Sequence, residues 1–219
     1  MAKAINPRNV CKDTKELNEL VRCLLNMALK EITDNKVTPL VVETYRPKER
    51  QYYLYGQGRT QMQCVNAGMP ATKAAKYSTP GLPRITWTLN SIHIQRKAVD
   101  VIPVRDGKAI WNSQDKETKK IIKIMQRYGF EAGANWTSSP DSPHFQIKGE
   151  FGKVFDAKHN TSYITKAIQR QLHEHGFYDG TVDGDWGKLT TQAVNRFRKV
   201  YGWKQNGKVG DATLKKLFA

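Results

Sequence analysis

Residues 98–104, AVDVIPV, limit the folds open to this chain more than any other stretch. The apolar, β-branched run reads as a strand, and alternation along it puts Asp100 on the face opposite Val99 and Val101. A carboxylate in so apolar a strand is costly unless it is paired or metal-bound. The strand supplies no partner charge of its own, so the fold must bring one.

Seven residues earlier, in SIHIQRKAVD (91–100), stands His93, and a second short stretch, DSPHFQ (141–146), holds His144. Two imidazole nitrogens and the Asp100 oxygen are three ligands of the kind a divalent metal takes, with one coordination position left open. Asp141, three residues before His144, is close enough in the chain to act as a general base at that position. Plainer readings exist. A histidine is more often a surface or hydrogen-bonded residue, and an Asp between Ser139-Pro140 and Ser142-Pro143 can be a turn residue accepting backbone hydrogen bonds. Two of the chain's five histidines fall in these stretches, yet ligands so distant in sequence meet only through the fold.

Taken together, S-x-H-x6-D and D-x-P-H-F resemble the zinc DD-peptidase group called peptidase family M15, which includes VanX/VanY carboxypeptidases and phage L-alanyl-D-glutamate endopeptidases. YRPKERQYYLYGQGRT (45–60) resembles the family's early Arg-containing segment, and FEAGANW (130–136) is similar to the Gly-rich approach to the second motif in phage endopeptidases. The resemblance implies one catalytic Zn2+ on His93, Asp100 and His144, with Asp141 as general base. It also implies that Arg46 stabilises the negative oxygen of the tetrahedral intermediate; the plainer reading of Arg46 is a surface salt bridge. Gln51 shares the matching segment and is a candidate substrate contact. Ser91 orients His93, touches substrate or is an ordinary turn hydroxyl, and Trp136 lines the cleft or covers the core. In one place the chain departs from the family, which commonly has Gly where Arg96 stands. A positive φ there would strain an arginine.

The length of 219 residues allows one large domain, or one medium and one small. The formal charge of +16 favours a polyanionic partner. Nucleic acid is the usual first candidate, but no Arg/Lys run alternates with aromatics as a base-stacking groove requires, so none is expected. Anionic envelope polymers or an outer membrane remain as electrostatic partners. Cys11, Cys23 and Cys64 cannot all pair and lack CxxC spacing, so they read as reduced thiols. MAKAINPRNV has no apolar signal-peptide core. The expectation is a protein made in a bacterial host cytoplasm that reaches the wall by another route, as the resemblance to phage lysins implies. A monomer is expected.

In chain order, the pattern predicts a helix over 13–32 with an Asp13/Glu16 capping box, a strand in PLVVET (39–44), and a helix starting near Pro47. Residues 60–90 read as a long loop, 106–107 as a hairpin turn and 113–128 as a helix stopped by Gly129. Beyond 152 the character changes. Residues 152–161 are a polar linker, and three helices follow near 163–175, 188–200 and 211–218. Two of them start from repeats 23 residues apart, Gly184-to-Thr190 and Gly207-to-Thr213. Residues 162–219 closely resemble the three-helix peptidoglycan-binding module PG-binding domain 1, which implies bacterial peptidoglycan as partner. His173 and His175, two apart on a helix, point away from each other and are not read as ligands.

The expected fold is α+β: residues 1–151 form a zinc DD-peptidase-like domain with a small antiparallel sheet and flanking helices, and 162–219 a small all-α three-helix domain. The leading expectation is a phage-type endolysin cutting the L-Ala–D-Glu bond of peptidoglycan stem peptides. A D-Ala-D-Ala carboxypeptidase on the same scaffold is the alternative, and a non-enzymatic binder of nucleic acid or acidic wall polymer the third.

Overall fold

The structure, a computed structural model, describes residues 6–148 and 153–218. The domain boundary expected at 151–152 lies outside the described residues. The helices are α1 (Glu19–Asp34), α2 (Lys48–Gly56), α3 (Gln61–Asn66), α4 (Ala71–Tyr77), α5 (Lys116–Arg127), α6 (Ser162–Glu174), α7 (Lys188–Val200) and α8 (Asp211–Leu217). The strands are β1 (Thr38–Glu43), β2 (Ala98–Arg105), β3 (Lys108–Ala109), β4 (Glu131–Ala132) and β5 (His144–Gln146), in a sheet of order β1-β2-β5-β4 with β3 on β2. The fold is α+β. β2 pairs antiparallel with β3 and β4 with β5, the latter in the register Glu131↔Gln146 and Ala132↔Phe145. Asp106 and Gly107 both have positive φ, 52° and 72°, which matches the right-handed twist of the β2–β3 hairpin.

By contacts the chain divides into two compact units, Met1–Leu17 with Val41–Val101, and Asn18–Leu40 with Ile102–Ala219. In the first, Asp13 accepts from the Lys15 N–H and starts only a 3-10 turn, Thr14–Glu16. The expected capping box is not made there, and the helix begins afresh at α1, where Asn18 accepts from Leu20 N–H. The loop expected over 60–90 contains the two short helices α3 and α4. Thr60 and Gln63 form a reciprocal capping box at the start of α3, and Ala-rich ATKAAKY makes α4 behind Pro70. These short helices persist because Tyr55, Cys64, Met69 and Ala74 form a buried cluster with Tyr52 and Leu89 against it. Residues 80–90 are irregular, as their prolines require.

In the second unit α1 buries Leu20, Val21, Leu24, Leu25, Ala28 and Ile32. α5 starts at Asp115, which accepts from Glu117 N–H, and stops at Gly129 with φ 82°. The two helix-starting repeats are realised alike: Gly184 and Gly207 take positive φ, while Gly187 and Gly210 are extended N-caps. Thr190 and Thr213 are buried one turn on. Fully buried Gln169 is the hub of this region. Its amide nitrogen lies within 2.8–3.1 Å of Tyr178 Oη, Asp183 Oδ1, Asp185 O and Thr190 Oγ1, and its oxygen accepts from Gly184 N–H at 2.9 Å. The three cysteines are free thiols, and burial pushes the Cys23 thiol up to about 12. No helix among the described residues is long and apolar enough to cross a membrane.

Candidate metal centre

His93 sits in a 3-10 turn, Ile92–Gln95, opened by Ser91, whose hydroxyl accepts from the His93 N–H at 3.3 Å. Ser91 is 8 % exposed, and its hydroxyl is engaged with the His93 backbone, as the orienting reading expects. The turn ends on Arg96 at φ 61°, the left-handed conformation that suits glycine. What offsets the strain is the side chain: its guanidinium stacks 4.0 Å from the Tyr45 ring centroid and bonds the carbonyl and carboxylate of Glu16.

The His93 ring is 1 % exposed, with Nδ1 2.6 Å from the Thr44 carbonyl. That contact puts hydrogen on Nδ1 and directs Nε2 toward Asp100, whose Oδ1 lies 3.1 Å away. Nε2 and Oδ1 together form one edge of a site that a divalent cation can bridge. His144 is also buried, and its Nε2 meets Gln146 Oε1 at 3.1 Å, which assigns Nδ1 as the nitrogen offered to an ion. Holding the second imidazole nitrogen in this way is how proteins orient metal-binding histidines. Among the described residues, one ligand atom each from His93, Asp100 and His144 all lie within 4.8 Å of one another. The donor set of two imidazoles and one carboxylate, with both tautomers fixed by neighbours, fits one catalytic zinc with an open position.

Arg46 follows β1, and its backbone N–H bonds the His93 carbonyl at 3.3 Å. Its side chain is 12 % exposed and its NH2 lies 2.6 Å from Glu43 Oε2 and 3.8 Å from Asp100 Oδ2. The surface-salt-bridge reading is therefore replaced by a buried network that sets a fixed positive charge beside a ligand. Glu43 divides its oxygens between Arg46 and Arg50, the latter at 2.7 Å. Burial pushes the Glu43 carboxyl up, but the hydrogen bonds and charges of the two arginines outweigh it and hold the group below its ordinary value. Gln51 is fully buried, receives Arg46 NH1 at 3.1 Å and donates to Thr88 O at 2.6 Å. Its amide is engaged on both sides, by Arg46 and by the 86–88 segment.

Asp141 is exposed and opens the turn into β5: its carbonyl receives the His144 N–H at 3.2 Å, and its own N–H bonds Gly133 O at 3.0 Å. Gly133 is what lets these strands of chain approach. A Cβ there would lie 2.5 Å from Asp141 O and 3.1 Å from His144 Cβ. Trp136 is half-buried, donates Nε1–H to Glu131 at 2.7 Å and sets its ring 5.1 Å from that of His144. It flanks the ligand. Thr44, Glu43, Gly133 and Gln146 went unread in the sequence. Only Gln146 had a local signal, lying two residues from His144 on the same face of a strand.

A two-histidine, one-carboxylate donor set in an α+β domain is that of a metallohydrolase-type site. Residues 84–147 match the M15 peptidase model described as D-alanyl-D-alanine carboxypeptidase, and residues 162–217 match that of a putative peptidoglycan binding domain. The chain therefore carries a segment that matches an M15 peptidase domain, followed by one that matches a PG-binding domain 1, and the His-Asp-His cluster lies at the peptidase match. Solved structures similar to it include the Serratia marcescens L-Ala D-Glu endopeptidase ChiX, at 22% identity over 62% of this chain and 83% of that one, with TM-score 0.41. The LD-carboxypeptidase LdcB matches at 16% identity, 68% and 64% coverage and TM-score 0.41. The vancomycin-resistance D,D-pentapeptidase VanY in complex with Zn(II) matches at 19% identity, 61% and 73% coverage and TM-score 0.39.

Proposed function

We propose that this chain is a phage-type endolysin that hydrolyses the L-Ala–D-Glu bond of peptidoglycan stem peptides. In this reading it is made in the host cytoplasm and acts on the wall, where the domain following the 152–161 linker holds the catalytic domain at its substrate and raises effective concentration. The excess of basic side chains adds attraction to anionic envelope polymers.

The choice of bond is supported by the likeness of the FEAGANW segment to phage endopeptidases. That segment lies at the cluster: Gly133 packs against the Asp141 turn, and the Trp136 ring is 5.1 Å from that of His144. His93, Asp100 and His144 would hold the zinc, which when bound would supply Lewis acidity and lower the pKa of water. Asp141 takes the proton of the attacking water and passes it to the leaving amine of D-Glu as the peptide C–N bond breaks. The Arg46 guanidinium, fixed by Glu43 and Gln51, stabilises the negative charge that grows on the former carbonyl oxygen.

A D-Ala-D-Ala carboxypeptidase is the second reading, favoured by the description of the family model over residues 84–147. Mass spectrometry of digested peptidoglycan separates the two. New N-terminal D-Glu supports the endopeptidase, and released D-Ala without it overturns that reading.

A further inference from the structure

Residues 80–90 contain no helix or strand and lead directly to Ser91 and His93. They are nevertheless tied down by two buried side chains. Gln51 donates to Thr88 O at 2.6 Å and Thr86 Oγ1 at 3.3 Å. Arg59, 5 % exposed, donates to Thr86 O at 2.9 Å and Tyr55 O at 2.7 Å. Burying an amide and a guanidinium to hold a loop backbone costs desolvation, and what it achieves is a fixed presentation.

The residue presented is Trp87, which is 61 % exposed. Two guanidiniums flank its indole, Arg84 at 5.6 Å and Arg59 at 5.8 Å from the ring centroid. A tryptophan so exposed contributes little to a core, whereas a pre-organised indole bordered by cations has the make-up of a binding hot spot.

We propose that Trp87 is a stacking platform for a pyranose ring of the wall's glycan strand, a sugar subsite beside the peptide-cleaving centre. The inference rests on the reading that the chain acts on peptidoglycan. The flat indole complements the C–H face of a pyranose ring, and Arg84 suits the carboxylates of the stem peptide attached to that sugar. Continuity with the site supports it: Gln51, which holds the Trp87 loop, also receives Arg46 NH1 at 3.1 Å, and Arg46 in turn neighbours Asp100. Leu82 and Ile85 are exposed on the same segment, but a lipid surface needs no fixed loop geometry, so a rigid ring is the better occupant.

The test uses the full chain labelled with 5-fluorotryptophan, its Trp87 resonance identified by loss in Trp87→Phe. A peptide-free GlcNAc–MurNAc oligosaccharide is titrated in, and phosphatidylglycerol vesicles in a parallel sample. The expected result is a saturable shift of the Trp87 resonance with the oligosaccharide. Trp87→Ala is further expected to lower the ratio of kcat/KM on glycan-linked over sugar-free stem peptide at least about tenfold. No shift with the sugar, a shift with vesicles alone, or an unchanged ratio overturns the proposal. The resonance reports binding without turnover, so a protein that shifts but cuts no peptidoglycan sinks the peptidase reading and leaves the sugar subsite standing.

Discussion

Gly133→Ala tests how the site is held together. The added methyl would lie 2.5 Å from the carbonyl oxygen of Asp141, a backbone atom that cannot swing away, and 3.1 Å from His144 Cβ. Restoring ordinary contact at 3.4 Å moves the 133–135 turn and the 141–144 turn apart by about 0.9 Å. Overpacking of this kind costs about 1–3 kcal/mol of stability, which a folded protein survives. Catalysis is less tolerant: a misplacement near 1 Å costs roughly a hundredfold, and here it displaces His144, a proposed metal ligand, together with Asp141, the proposed general base. The assay is kcat/KM on a stem peptide, with zinc affinity measured by chelator competition and folding checked by circular dichroism. A folded Gly133→Ala protein with turnover and zinc affinity within about twofold of the parent would refute the reasoning, since a twofold change is only about 0.4 kcal/mol.

Asp141→Asn is expected to keep zinc and lose nearly all turnover, whereas His144→Ala loses both, as metal analysis beside a kinetic assay will report. Glu43→Gln uncouples Arg46 and Arg50 in a nearly buried network, and urea unfolding should show a loss of about 3–5 kcal/mol at neutral pH. Because the folded Glu43 carboxyl lies below its ordinary 4.5, its stabilisation is present above that pH and fades as pH falls through the folded value. The acid limb of a pH–stability curve should therefore be flatter in the variant. Gln169→Leu strips the hub from the C-terminal helices at about 1–3 kcal/mol; sedimentation with purified wall should fall while cleavage of a soluble stem peptide persists.

The cluster of His93, Asp100 and His144 was legible because its chemistry is local: an Asp in an apolar strand, and two histidines in short motifs of distinctive spacing. Helices α5 to α8 were legible from periodicity and from glycines whose positions the structure explains, such as Gly129 and the pairs Gly184/Gly207 and Gly187/Gly210. Helices α3 and α4 were hidden by the prolines and glycines around them, although Thr60 and Gln63 spelled a capping box and ATKAAKY carried high helix propensity. The one-residue difference between Asp13 bonding Lys15 and bonding Glu16 turned an expected helix start into a 3-10 turn. Thr44 and Gly133 were beyond reach for another reason. Each acts through a backbone atom or a missing side chain that matters only once a distant segment arrives. The partners of Gln51 are not legible in its motif, because burial, which a motif does not encode, decides that its amide meets Arg46 and the 86–88 segment.

The central claim is that His93, Asp100 and His144 hold one ion on which hydrolysis depends. Elemental analysis of the purified protein, paired with lytic assays before and after exhaustive chelation, measures this directly. One zinc per chain is expected, with no activity once it is stripped and recovery on adding back a single equivalent. A stripped protein that still digests peptidoglycan at the original rate would contradict it.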